Sequence, residues 1–166
     1  SVTTERESMI SIASHIITHM KNDVCYIIGP GTTTRAIMDT LNLKNTLLGV
    51  DVVLNRQLIG SDLNENGLLK LLNQMEKNGI QLKIIVTVIG GQGYVFGRGN
   101  QQISDRVIRR VGKENLIIAA TEGKMIALNG KPLLVDTGDE YVNKMLSGYV
   151  KVITAMNREM AYKITY

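Results

Sequence analysis

A chain of 166 residues, 44% hydrophobic and 20% charged, has the composition of an ordinary globular protein with enough residues to bury a sizeable core. The formal charge of +4 includes no long basic block, and six Tyr, one Phe and no Trp leave few stacking platforms, so nucleic acid is not an expected partner. No apolar run approaches the roughly 18 residues needed to cross a bilayer, and the lone Cys25 supports neither an intrachain disulfide nor a Cys–His metal cluster. The expectation is one domain over residues 1–166, in a reducing cytoplasm, with no membrane contact and no metal.

From Thr4 to Lys21 the apolar positions Met9, Ile10, Ile12, Ala13, Ile16, Ile17 and Met20 recur at steps of three and four, predicting an amphipathic helix opened by Thr4 and Glu7 in capping-box spacing. Val24–Ile28 is apolar on both faces and predicts a central strand. A helix follows over 33–41. A second strand is expected over 46–54, interrupted by Gly49 and carrying Asp51 in apolar surroundings, followed by a turn at Asn55–Arg56 and the pair Leu58–Ile59. Residues 60–65 open a helix that buries Leu68, Leu69, Leu71, Leu72 and Met75 and stops at Asn78–Gly79.

Leu82–Ile89 predicts a third strand, followed by a glycine loop over 90–100 and a basic helix capped by Ser104. Leu116–Ala120 is the fourth strand, Pro132–Asp136 the fifth, and Asp139–Leu146 a helix. Residues 149–154 and 160–164 form a terminal hairpin. Such alternation predicts a three-layer, Rossmann-like α/β domain with a mainly parallel sheet.

Two glycine-rich loops follow apolar strands directly. Gly29-Pro30-Gly31 leads into Thr32, Thr33 and Thr34 at a helix start, where free backbone N–H groups and the positive end of the helix dipole favour phosphate. Gly29, Gly31, Thr32, Thr33 and Thr34 are therefore candidate phosphate-binding residues; a tight turn capped by Thr is the alternative. The second loop offers Gly90, Gly91, Gln92, Gly93, Arg98 and Asn100, with five glycines in eleven residues, and Arg98 is its natural bidentate partner for an anion. Lys124, after Thr121-Glu122-Gly123, either joins that ligand site or lies on the surface. Asp51 and Asp136 are candidate acid–base residues, against structural roles in a buried strand and a turn. His15 and His19 read as solvent or interface residues, and Cys25 as a buried hydrophobe.

The strings Gly29–Thr33, Leu47–Asp51, Ile89–Gly93, Phe96–Ser104 and Leu134–Asp139 together resemble the C-terminal region of the ATP-NAD kinase-like family, which includes the AcoX-type proteins of bacteria. The resemblance implies a role in ATP-dependent phosphorylation of NAD by a full-length protein, with ATP, NAD and Mg implied for that protein alone. The family's Gly-Gly-Asp-Gly-Thr motif lies in a preceding domain and does not occur in this chain, so the isolated domain would lack the catalytic loop. The strand, Gly-x-Gly-Thr-Thr, helix pattern is more distantly similar to the ribose-5-phosphate isomerase and coenzyme A transferase group, whose first loop holds a sugar phosphate. The isomerases' acidic Asp-Gly-Ala-Asp-Glu element is missing. The expected ligand is a small phosphorylated sugar or nucleotide, and no cofactor is assigned. A stand-alone isomerase and a non-catalytic oligomerisation domain, with a homo-oligomer as partner, are the alternatives.

Overall fold

In the computed structural model, residues 3–166 are described; positions 1 and 2 of the expected domain lie outside them. In chain order the elements are α1 (Glu5–His19), β1 (Val24–Ile28), α2 (Thr32–Thr40), β2 (Asp51–Leu54), β3 (Gln57–Gly60), α3 (Glu65–Lys77), β4 (Gln81–Thr87) and β5 (Tyr94–Phe96). They continue with α4 (Asp105–Val111), a turn of 3-10 helix at Lys113–Asn115, β6 (Leu116–Ala119), α5 (Glu122–Ile126), β7 (Leu133–Val135), α6 (Glu140–Leu146), β8 (Gly148–Ala155) and β9 (Arg158–Thr165).

The strands form one nine-stranded, mostly parallel sheet in the order β3-β2-β1-β4-β6-β8-β9-β7-β5. β1, β4, β6 and β8 are adjacent and parallel, whereas β2 and β3 add antiparallel on one flank. The C-terminal hairpin is not an appendage: β9 returns antiparallel along β8 and then carries β7 and β5 parallel to itself. A bridge between Ile89 and Tyr94 links the start of β5 to the chain just past β4. The last strand of the row, β5, is thereby bonded back to the chain two residues past the end of β4.

Both faces are covered, giving three layers. One face buries Ile84, Val86, Ile118 and Val152 with Leu68 and Leu72 of α3, Val107 and Ile108 of α4, and Val142 and Leu146 of α6. The other packs Tyr26, Ile28, Ile85 and Ala119 beneath Ile12 and Ile16 of α1 and Ile37 and Met38 of α2. Burial of each Val, Leu, Ile or Met side chain among them contributes about 1.5–3 kcal/mol, and β1, in contact with both layers, is buried along its whole length as its unbroken apolar run requires.

Three expectations need correction. Only Asp51–Leu54 of the second predicted strand is extended. Gly49 is packed so tightly that a Cβ there would meet Thr46 Oγ1 and Asp62 Oδ1 at 2.4 Å, so residues 44–49 fold as a loop against the segment after β3. The second glycine loop is not continuous irregular chain, because Tyr94–Phe96 forms β5. Finally, His15 is buried, since its ring supports the β8–β9 turn: its Nδ1 accepts the N–H of Asn157 at 2.9 Å.

Candidate functional site

α1 and α2 both run opposite to β1, the strand between them in sequence, so both helices begin at the edge where β1, β4 and β6 end. At that edge α2 starts without a side-chain cap; its N-cap position is Gly31. Helices α1, α3, α4, α5 and α6 each begin on a side-chain oxygen, from Thr4, Asn64, Ser104, Thr121 and Asp139 respectively. The first intrahelical bond of α2 runs from the Arg35 N–H to the Gly31 carbonyl at 3.0 Å, leaving the amides of Thr32, Thr33 and Thr34 as its unsatisfied first turn. The Thr34 hydroxyl turns inward to donate to the Gly31 carbonyl at 3.1 Å. Thr33 and Thr34 are buried and Thr32 is exposed.

A groove of about 380 Å³ runs between the two helices from this start, with Arg6 and Thr32 in its lining together with Arg35 and the apolar Met9, Ile10 and Ala36. Arg6 and Arg35 make no ion pair among the described residues, so two guanidinium groups share the groove with the positive end of α2. Asp39, which accepts from Asn45 Nδ2 at 3.2 Å, is the acid in the same lining.

The glycines of the first loop serve packing. A Cβ on Gly29 would sit 3.1 Å from Val86 Cγ1 and 3.6 Å from Ile103 Cδ1, and one on Gly31, whose φ is +129°, would meet Thr87 Cγ2 at 2.6 Å. Hydrocarbon therefore fills the space between this loop and the end of β4. The second loop is a neighbour of the first rather than the other wall of one empty cradle. Gly90 and Gly91 face open space, whereas Gly93 packs on Leu128; Gln92 is exposed. Arg98 lies over the Tyr94 ring, 4.8 Å from its centroid, while Asn100 is fully buried and spans its own loop. Its Nδ2 donates to the Val95 carbonyl at 2.8 Å and its Oδ1 accepts the Gly97 N–H at 3.3 Å.

Asp51 does stand next to the first loop, in register with Ile28 at the end of β1. Its carboxylate is occupied: Oδ2 accepts the Thr46 N–H at 3.0 Å, and Oδ1 accepts the Thr46 hydroxyl at 3.0 Å and the Asp62 N–H at 2.9 Å. Asp136 is exposed and belongs to a different corner, where a Cβ on Gly97 would overlap its carbonyl oxygen at 1.9 Å. β7 runs opposite to β1, so the two aspartates leave their strands at opposite ends and do not form a pair. Cys25 lies in the core, where desolvation pushes its thiol up to about 11.

The loop after β6 adds residues that periodicity did not single out. Thr121 is buried; it caps α5 by accepting the Lys124 N–H at 3.3 Å and donates to Glu5 Oε1 at 2.8 Å. Glu5, Arg6 and Thr121 thus join the start of α2 at one sheet edge. In sequence Glu5 and Arg6 are ordinary charges of a helix surface, and only packing of α1 beside α2 gives them a common place.

Fold and site together define an α/β domain with an uncapped, cation-flanked helix start at the ends of its parallel strands. A family model described as the ATP-NAD kinase C-terminal domain matches residues 21–164, and the chain belongs to that family. No curated protein and no solved structure matches it. Among the described residues no helix is long and apolar enough to cross a membrane.

Proposed function

We propose that this domain serves an NAD kinase-type protein by holding a phosphate group of a nucleotide or phosphorylated sugar at the start of α2. The observation that carries the reading is the uncapped first turn at Thr32, Thr33 and Thr34 beside Arg6 and Arg35. Backbone donors and a helix dipole bind phosphate without a dedicated side chain, and two arginines add charge and bidentate contacts. Gly90 and Gly91, open at the end of the neighbouring strand, leave room there for the rest of such a ligand, and Arg98 and Lys124 are its proposed further contacts. Phosphoryl transfer would be the work of the full-length protein, in line with the missing Gly-Gly-Asp-Gly-Thr motif.

Calorimetric titration with ATP, NAD, NADP and ribose 5-phosphate tests this reading. Thr32→Pro removes one of the three donors at a helix position that tolerates proline, and affinity should fall roughly tenfold, the equivalent of one net hydrogen bond to a charged group. Absence of heat with all four ligands would overturn the proposal.

A second reading, an oligomerisation role, is favoured by Leu47 and Leu48, adjacent and 67% and 74% exposed. It predicts that Leu47→Ser with Leu48→Ser lowers the sedimentation coefficient while ligand binding stays unchanged. An isomerase that uses Asp51 to carry a proton is disfavoured, because the carboxylate would have to release the loop bonds it makes to Thr46 and Asp62.

A further inference from the structure

At the other end of α1 a cavity of about 210 Å³ opens between the helix and the sheet. Its floor is apolar, from Ile16, Ile117 and Ile153, whereas its rim carries Lys21 beyond the helix, Lys83 of β4 and the rings of His15 and His19. Tyr26 of β1 also lines the cavity, in register with Lys83. Glu159 of β9 is the acid facing this group, and its carboxylate is also 4.0 Å from Lys151. Lys21 and Lys83 have no salt-bridge partner among the described residues.

We propose that this cavity is a second anion site, distinct from the start of α2, which takes a small phosphate-type anion.

Hydrogen bonding already made in the structure orients the donors. The Tyr26 oxygen accepts the Lys21 N–H at 2.9 Å, which leaves the phenolic proton free to donate. Because His15 Nδ1 accepts from Asn157, the neutral ring carries its proton on Nε2 and is a donor there. His19 Nδ1 lies 2.8 Å from the His15 carbonyl and must donate to it, so its Nε2 becomes a donor only when the ring takes a second proton. The two rings lie with centroids 4.2 Å apart and planes tilted by 33°. Desolvation, then the charge of His19, holds His15 below its ordinary value, while Glu159 acts in the opposite direction. A bound anion would relieve the repulsion between the rings. A half-buried lysine in mid-strand is costly unless its ammonium meets water or an anion, and here it rises from an isoleucine floor toward four other potential donors.

Titration of the full chain with inorganic phosphate, followed by NMR at the ring protons of His15 and His19 and at the backbone amides, tests the site. Ring shifts that saturate with phosphate, do not follow sodium chloride at matched ionic strength, and weaken roughly tenfold in Lys83→Met on loss of one charged donor are the expected result. Lys21→Ala, at an exposed position, should also weaken the ring response if Lys83→Met does not fold. The amides of Thr32, Thr33 and Thr34 report the α2 site separately, and their response should survive both substitutions. Ring resonances that stay fixed, that move equally with chloride, or that respond equally in the variant would overturn the inference whether or not the α2 amides shift.

Discussion

The Thr121 hydroxyl donates to Glu5 Oε1 at 2.8 Å, joining residues 116 positions apart. The same oxygen caps α5 through the Lys124 N–H, so one buried side chain ties the first turn of α1 to the start of α5 just after β6. Thr121→Val should therefore lower unfolding free energy by about 1–2 kcal/mol, the worth of a cap plus a lost bond. Thr121→Ser, which keeps the hydroxyl, should recover most of it. Urea denaturation of both variants is the measurement.

Asp51 ties the loop over 44–49 to the segment after β3 with three accepted hydrogen bonds. Replacement by alanine leaves the part-buried donors of Thr46 and Asp62 without their acceptor and should cost about 1–3 kcal/mol. Hydrogen exchange should rise first at the Thr46 and Asp62 amides. A variant with native stability and unchanged exchange, but altered chemistry on a bound ligand, would favour an acid–base role over the structural one.

Gly31→Ala meets two obstacles, a φ of +129° and the Thr87 methyl 2.6 Å from the new Cβ. A loss of about 2–4 kcal/mol is expected. Thr87→Ser removes the obstructing methyl, so the double variant should regain part of that loss and leave the backbone cost. A thermodynamic cycle over the four proteins separates the two.

His15 must be unprotonated at Nδ1 to accept the Asn157 N–H, and burial with the charge of His19 lowers its pKa. The unfolded chain then takes up a proton before the folded one, so stability present above about pH 6.5 is lost as pH falls toward the folded value. Denaturation curves between neutral and mildly acidic pH should show this fall in the parent protein and a smaller one in His15→Gln, whose amide oxygen can accept without titrating.

The sheet edge that carries the first loop was legible because local patterns decide it: an apolar run on both faces at Val24–Ile28, glycines at 29 and 31, and a helix period after Thr32. Capping residues were equally readable at Thr4 and Ser104, since a side-chain oxygen just before a helix can accept an N–H of its first turn. β5 was not legible. Three residues between glycines become a strand only because β7 and the chain after β4 supply partners.

Residue spacing and polarity alone settled the α/β class, the central position of β1 and the membership of Gly29–Thr34 in a strand-to-helix turn. Tertiary structure decided that Asp51 and Asp136 diverge, that Asn100 is spent within its own loop, and that Glu5, Arg6 and Arg35 gather around α2. The reason is range: hydrophobic period and turn chemistry act over a few residues, whereas a strand's direction and a helix's neighbours are set by pairing across the whole sheet.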